Sequence, residues 1–258
     1  MFDNNKIIFN SQRSFKASNK KVNLFLRKLS EDAIQRLEIE QSKKYNILEI
    51  FAKNNIFVKT LEKKNIKSAT FQTIFPNTIN LNHQNIIIND NKLSSIEDER
   101  IDCCISFFPS FSKPDLTLIL KSIYRILKFE GKFLFLFFSS DSCLKLKNIF
   151  HDIFKTKVEN MFMPSPDILL LGNITNLMGY KNVVVDRSSY LIINKKPEDI
   201  WRFIRDLGVS NYLQNRNKTA ISKLNYDKLR EKIKLLLTED GVITNKVTIN
   251  YLIGTKKN

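Results

Sequence analysis

Glycine is scarce in this chain and missing from its first half: six of 258 residues are glycine, and the first is Gly131. Before that point, any turn needing positive φ, or any close approach of backbone to a ligand, must be made by residues that carry a Cβ. Histidine is limited to His83 and His151, neither at i,i+4 from the other nor beside a cysteine pair, so no metal site is expected. Three cysteines are present, and Cys103 and Cys104 are adjacent, a poor geometry for a mutual bridge; the odd count fits a reducing compartment. No apolar run approaches the roughly 18 to 20 residues that span a bilayer. The longest, Phe133 to Phe138, fits one buried strand. The opening MFDNNKIIFN lacks a basic start, an apolar stretch and a small-residue cleavage site, so the expected location is the cytoplasm, at most peripheral to an inner membrane. Linkers rich in Pro, Gly and Ser are absent, as are internal repeats, which predicts one domain over residues 1–258, with 1–45 as a helical lead-in.

What is abundant is positive charge. Lys and Arg number 42 against 26 Asp and Glu, a formal net charge of +16. Such a balance suggests a nucleic-acid partner when the charge is concentrated on one face. Here it is dispersed in short doublets such as Lys20-Lys21, Lys43-Lys44 and Lys63-Lys64, alongside abundant Asn, Ile and Phe. That pattern is what an AT-rich genome produces across its proteins, and nucleic acid is not the expected partner.

Hydrophobic spacing predicts an amphipathic helix from Lys21 to about Gln41, then a short strand at Ile47 to Phe51, a helix over Asn55 to Lys64 and a strand at Ala69 to Phe75. Further strands are expected at Ile86 to Ile88 and Ile101 to Phe107. Leu116, Ile119, Leu120, Ile123 and Leu127 mark a helix over Asp115 to Lys128, stopped by Gly131. KFLFLFF is apolar almost throughout instead of alternating, as in a parallel strand covered on both faces. Helices over Ser140 to Phe154 and Pro166 to Met178 follow, then strands at Asn182 to Asp186 and Tyr190 to Asn194. A helix opens at Pro197, another covers Tyr226 to Leu237, and Val247 to Ile253 makes the last strand. The rhythm predicts an α/β fold: a doubly wound, mostly parallel, seven-stranded sheet with flanking helices, the last strand inserted antiparallel.

Four stretches stand in a recognisable order: NILEIFAKNN at Asn46 to Asn55, Asp90 ahead of Ile101-Asp102, ILKFEGKF at Ile126 to Phe133, and a C-terminal third reading SPDILLLGNITNLMGYKNVVVDRSSY, DLGVSN with Arg216 downstream, then EDGVITNKVTINYLIG. Together they resemble class I S-adenosylmethionine methyltransferases, a Rossmann-like family. The closing motifs are similar to the group that holds mitochondrial complex I assembly hydroxylases and their alphaproteobacterial relatives. The resemblance implies that Glu49, Asp90 and Ser106 line the cofactor cleft, and that Asp167, Asn173, Arg187, Asn211 and Arg216 form a surface for a protein substrate or assembly partner, such as a respiratory complex subunit.

The family's acidic-x-Gly-x-Gly-x-Gly loop reads here as Glu49 followed by Phe51, Lys53 and Asn55 in the glycine positions, and Thr70 to Asn77 holds no acid for the ribose hydroxyls. S-adenosylmethionine binding is therefore expected to be weak or lost. Each retained residue also has a plain structural role: Glu49 as cap or lysine partner, Asp90 as a turn residue, Ser106 as a strand-end serine, Asp167 as a helix start, Arg187 as a surface ion pair, Asn211 as a loop cap. No nucleophile or general base identifies itself. The functions implied are a methyltransferase with a degenerate cofactor site, a non-catalytic assembly factor on the same scaffold, a protein hydroxylase and, last, a basic nucleic-acid binder.

Overall fold

A computed structural model describes residues 3–17, 19–52, 54–72, 93–94, 96–109, 113–155, 165–216, 218 and 221–257. Their order is α1 (Asn4–Lys16), α2 (Lys20–Arg36), β1 (Lys44–Glu49), α3 (Ile56–Lys63), β2 (Lys67–Gln72), β3 (Ile101–Phe107), α4 (Lys113–Ile126), β4 (Leu127–Phe138), α5 (Leu144–Phe154), α6 (Ile168–Leu177), β5 (Lys181–Asn194), α7 (Pro197–Asp206), α8 (Lys223–Lys234) and β6 (Ile243–Thr255).

Six described strands form one sheet in the order β2-β1-β3-β4-β6-β5. The first four run parallel, and β6 enters antiparallel to both β4 and β5. This is the doubly wound, mostly parallel sheet expected, with the last strand inserted as anticipated; the strand expected at 86–88 lies outside the described residues. Two short strands expected at 182–186 and 190–194 are in fact the single strand β5. The polar residues between them, Arg187, Ser188 and Ser189, look like a turn in sequence, yet they pair in register with Asn250, Ile249 and Thr248 of β6. A long partner strand supplies the ladder bonds that local composition does not advertise.

Both faces of the sheet are covered. Ile47, Cys103, Ile105, Leu134, Leu136, Ile249 and Tyr251 face α2, α3, α5, α7 and α8. Leu48, Cys104, Phe133, Phe135 and Leu252 face α4 and α6. Every position from Phe133 to Phe137 is buried, which is why that stretch reads as continuously apolar. Gly131, expected to stop the helix before it, lies inside β4. A Cβ there would stand 2.8 Å from the Lys128 carbonyl oxygen and 3.2 Å from that of Asp102, so the glycine permits the close run of β4 past β3.

Helix starts follow local chemistry. Asp3 caps α1 through the Lys6 amide, Asn19 caps α2 through Lys21, and Ser222 caps α8 through Asn225. Helix α1 precedes the helical pattern that the sequence shows from Lys21 onward, and contacts with the segment after α7 hold it in place. No helix among the described residues is long and apolar enough to cross a membrane.

Candidate functional site at the carboxyl edge of the sheet

In an open parallel sheet, ligands gather beyond the carboxyl ends of the strands. Glu49 ends β1 there, 2% exposed, directly opposite Gln72, the last residue of β2 and fully buried. Gln72 Nε2 donates to Glu49 Oε2 at 2.6 Å. Burial pushes the Glu49 carboxyl up to about 7, with the Gln72 bond pulling weakly the other way.

The chain leaves β1 through Ile50, whose amide donates to the Ile105 carbonyl at 2.7 Å. Phe51 then takes φ +56°, the left-handed conformation normally given to glycine. Its side chain packs against the core on the α4 side of the sheet. This left-handed turn is made here without a glycine. Asn54 Oδ1 accepts from the Ile56 amide at 2.9 Å and opens α3, while Asn55 Oδ1 is buried with no partner among the described residues. Ser106, at the end of β3, donates to the Ile50 carbonyl at 2.7 Å and is fully buried. It ties the β1 turn to β3. Asp90 and Lys53 lie outside the described residues.

The remaining candidates separate into two places. Asp167 caps α6, accepting from the Leu169 and Leu170 amides at 3.0 and 3.1 Å, and is exposed, as is Asn173 on the same helix. Arg187 is exposed on β5 and ion-paired with Asp141. These three share the α6 side of the sheet, because a Cβ on Gly172 of α6 would touch Val185 Cγ2 at 3.5 Å. Asn211 and Arg216 stand elsewhere. Asn211, expected to be exposed, is 8% exposed, its Oδ1 accepting from the Leu213 amide at 2.9 Å in a local turn. Arg216 donates to Asp3 Oδ2 at 2.7 Å and to the Leu213 carbonyl at 2.8 Å.

The DLGVSN segment and Arg216 therefore form a clasp around α1. Asn10 Nδ2 donates to the Ser210 carbonyl at 2.8 Å, Arg13 reaches the Arg205 carbonyl and Ser210 Oγ, and Asn19 bonds Asp206. Gly208, at φ +76°, passes so close to α1 that a Cβ would lie 2.8 Å from Ser14 Cβ. Val209 belongs to the core on the α2 side. The five residues expected to share one partner surface thus fall on opposite sides of the sheet.

A polar network not expected from sequence joins α2 to β5 and β6. Arg36 Nε and Nη2 donate to Asp186 Oδ2 at 2.8 and 2.6 Å, Nη2 also reaches Ser188 Oγ, and the guanidinium lies 3.8 Å from the Tyr251 ring centroid. The Tyr190 hydroxyl bonds both Asp32 and the Tyr251 hydroxyl. Burial pushes the Tyr251 phenol up to about 12. Burial would also raise the Asp186 carboxyl, but the Arg187 amide and the Arg36 guanidinium outweigh it and hold that carboxyl below its usual range. Helical spacing places Asp32 and Arg36 on one face, and nothing in the sequence points them at residues about 150 positions away.

No protein-family model matches the chain. It is 25% identical over 223 residues, 83% of this chain and 94% of the relative, to a Rickettsia prowazekii protein provisionally named methyltransferase RP459. Among solved structures, it superposes on a provisionally assigned methyltransferase from an antibiotic biosynthesis pathway of Anabaena variabilis with a TM-score of 0.55, at 14% identity, covering 87% of this chain and 96% of that one. A phosphoethanolamine methyltransferase of Haemonchus contortus, solved with S-adenosylhomocysteine, gives a TM-score of 0.50 at 12% identity over 90% of this chain and 53% of that one. The strand order, the carboxyl-edge turn and these likenesses define the class. The fold is that of class I S-adenosylmethionine methyltransferases.

Proposed function

We propose that this protein is a methyltransferase-like chain with a degenerate cofactor site, which binds S-adenosylmethionine weakly or not at all and works with a protein partner in respiratory complex assembly. The observation that carries the first part is the bond between Glu49 and Gln72. The one acid at the end of β1 is buried and already engaged by a side chain of β2, where a ribose would need a carboxylate facing outward. Phe51 adds a Cβ and a ring at the turn that a glycine would leave open. These residues do not fit S-adenosylmethionine in its usual pose. The assembly role rests on the resemblance of the C-terminal motifs.

Calorimetric titration with S-adenosylmethionine and S-adenosylhomocysteine tests the cofactor reading; heats absent or weak are expected, and micromolar binding of either would overturn it. For the assembly role, cells lacking the chain should lose assembled complex I on native gels and regain it with a Glu49→Ala variant. Normal complex levels without the chain would remove that role. A second reading, a working methyltransferase or protein hydroxylase, is favoured by one feature: the retained left-handed turn at Phe51. It is the reading that micromolar binding would support.

A further inference from the structure

Strand β5 is the outer strand of the sheet, with β6 on one side and no strand on the other among the described residues. It is 14 residues long, and its exposed side chains are apolar to a degree unusual for an edge: Val184 is 47% exposed, Val185 40%, Leu191 69% and Ile193 55%. Natural edges are normally short, charged, bulged or covered, because a long flat row of backbone donors and acceptors pairs with another chain. The only bulge of β5 lies near its start, between Lys181 and Val184, and from Val184 to Asn194 the ladder to β6 is regular. Helix α6, seated beside β5 through Gly172, adds exposed apolar side chains of its own, Leu169 at 72% and Leu177 at 81%.

The order of residues along β5 says what covers it. Val184 and Val185 stand four and three residues before Ser188, and Leu191 and Ile192 stand three and four after it. Antiparallel pairing of β5 with itself about a two-fold axis through Ser188 sets Val185 against Leu191, Val184 against Ile192 and Arg187 against Ser189, and it keeps each residue on its own face of the sheet. An isologous interface requires such self-complementarity, whereas a foreign strand has no need of it. Charge points the same way. Two copies of a +16 chain repel, and association needs a patch without net charge. Residues 182–194 contain no lysine, and their two charges are matched within the chain: Asp186 by Arg36 and Arg187 by Asp141.

We propose that the protein forms a two-fold dimer through β5, joining two sheets into one continuous sheet with Ser188 on the axis and the α6 helices flanking it. The test is sedimentation of the purified full chain. Wild type should run as a dimer. Val185→Lys with Leu191→Lys places lysine against lysine in this register and should weaken the dimer by about a hundredfold or more in dissociation constant. Val185→Asp with Leu191→Lys places opposite charges face to face and should restore it. Both positions are exposed, so circular dichroism should show all three proteins equally folded. Monomeric wild type at about 100 µM, where even a weak self-association shows, would overturn the proposal. So would a double-lysine variant that stays dimeric, or an aspartate-lysine variant no better than the double-lysine one.

Discussion

Gln72 reaches across from β2 and donates its side-chain amide to Glu49 at 2.6 Å, joining the last residues of two neighbouring parallel strands below the turn that Phe51 makes in the left-handed conformation. The cleft edge is thus closed on itself by a neutral donor and a buried acid.

A buried acid whose ionisation is pushed up to about 7 binds its proton more tightly in the folded than in the unfolded state. The stability this gives is fully present below the unfolded value near 4.5 and is lost as pH rises through about 7. Glu49→Gln removes the penalty of burying the charge. It should stabilise the protein by up to about 3 kcal/mol at pH 8 and flatten the decline between pH 5 and 7, read from urea unfolding across pH. An equal pH slope in both proteins would show that the carboxyl ionises without cost.

The proposed degeneracy of the cofactor site is tested at the Phe51 turn. Phe51→Gly removes a side chain from a conformation that costs about 1–3 kcal/mol for residues with a Cβ, and Gln72→Asp supplies the missing acid. The double variant should bind S-adenosylmethionine at least about tenfold more tightly than wild type in calorimetry, a gain of roughly 1.4 kcal/mol. No gain would mean that the degeneracy extends beyond these two positions.

The clasp on α1 predicts a local effect. Arg216→Ala removes the bond to Asp3 and should speed amide exchange across Asn4–Lys16 several-fold, while the midpoint of thermal unfolding hardly moves. Gly208→Ala should do more, costing about 1–3 kcal/mol, since it introduces a Cβ at positive φ against Ser14. Unchanged exchange in both variants would show that α1 is held from elsewhere.

Asp167 and Arg187 should behave differently although both are exposed. Asp167→Ala deletes two capping bonds at the start of α6 and should cost about 1 kcal/mol in urea unfolding. Arg187→Ala removes a surface ion pair and should cost under about 0.5 kcal/mol. Equal losses would contradict the capping role.

Element positions are legible in the amino-acid order because burial imposes local periodicity. The run from Phe133 to Phe138 reads as a strand covered on both sides, and β3 is delimited residue for residue at 101–107. The scarcity of glycine is also read from the sequence by itself, since none stands before Gly131. What sequence does not show is which side chains meet across strands. Gln72 becomes the partner of Glu49 only through the β1–β2 register, the DLGVSN segment becomes a clasp only because α1 folds back upon it, and β5 runs unbroken through Arg187 and Ser188 only because β6 lies alongside. Periodicity is written in neighbouring residues and can be read there. Register, edge exposure and long-range ion pairs arise from packing between distant segments, so tertiary structure alone decided them.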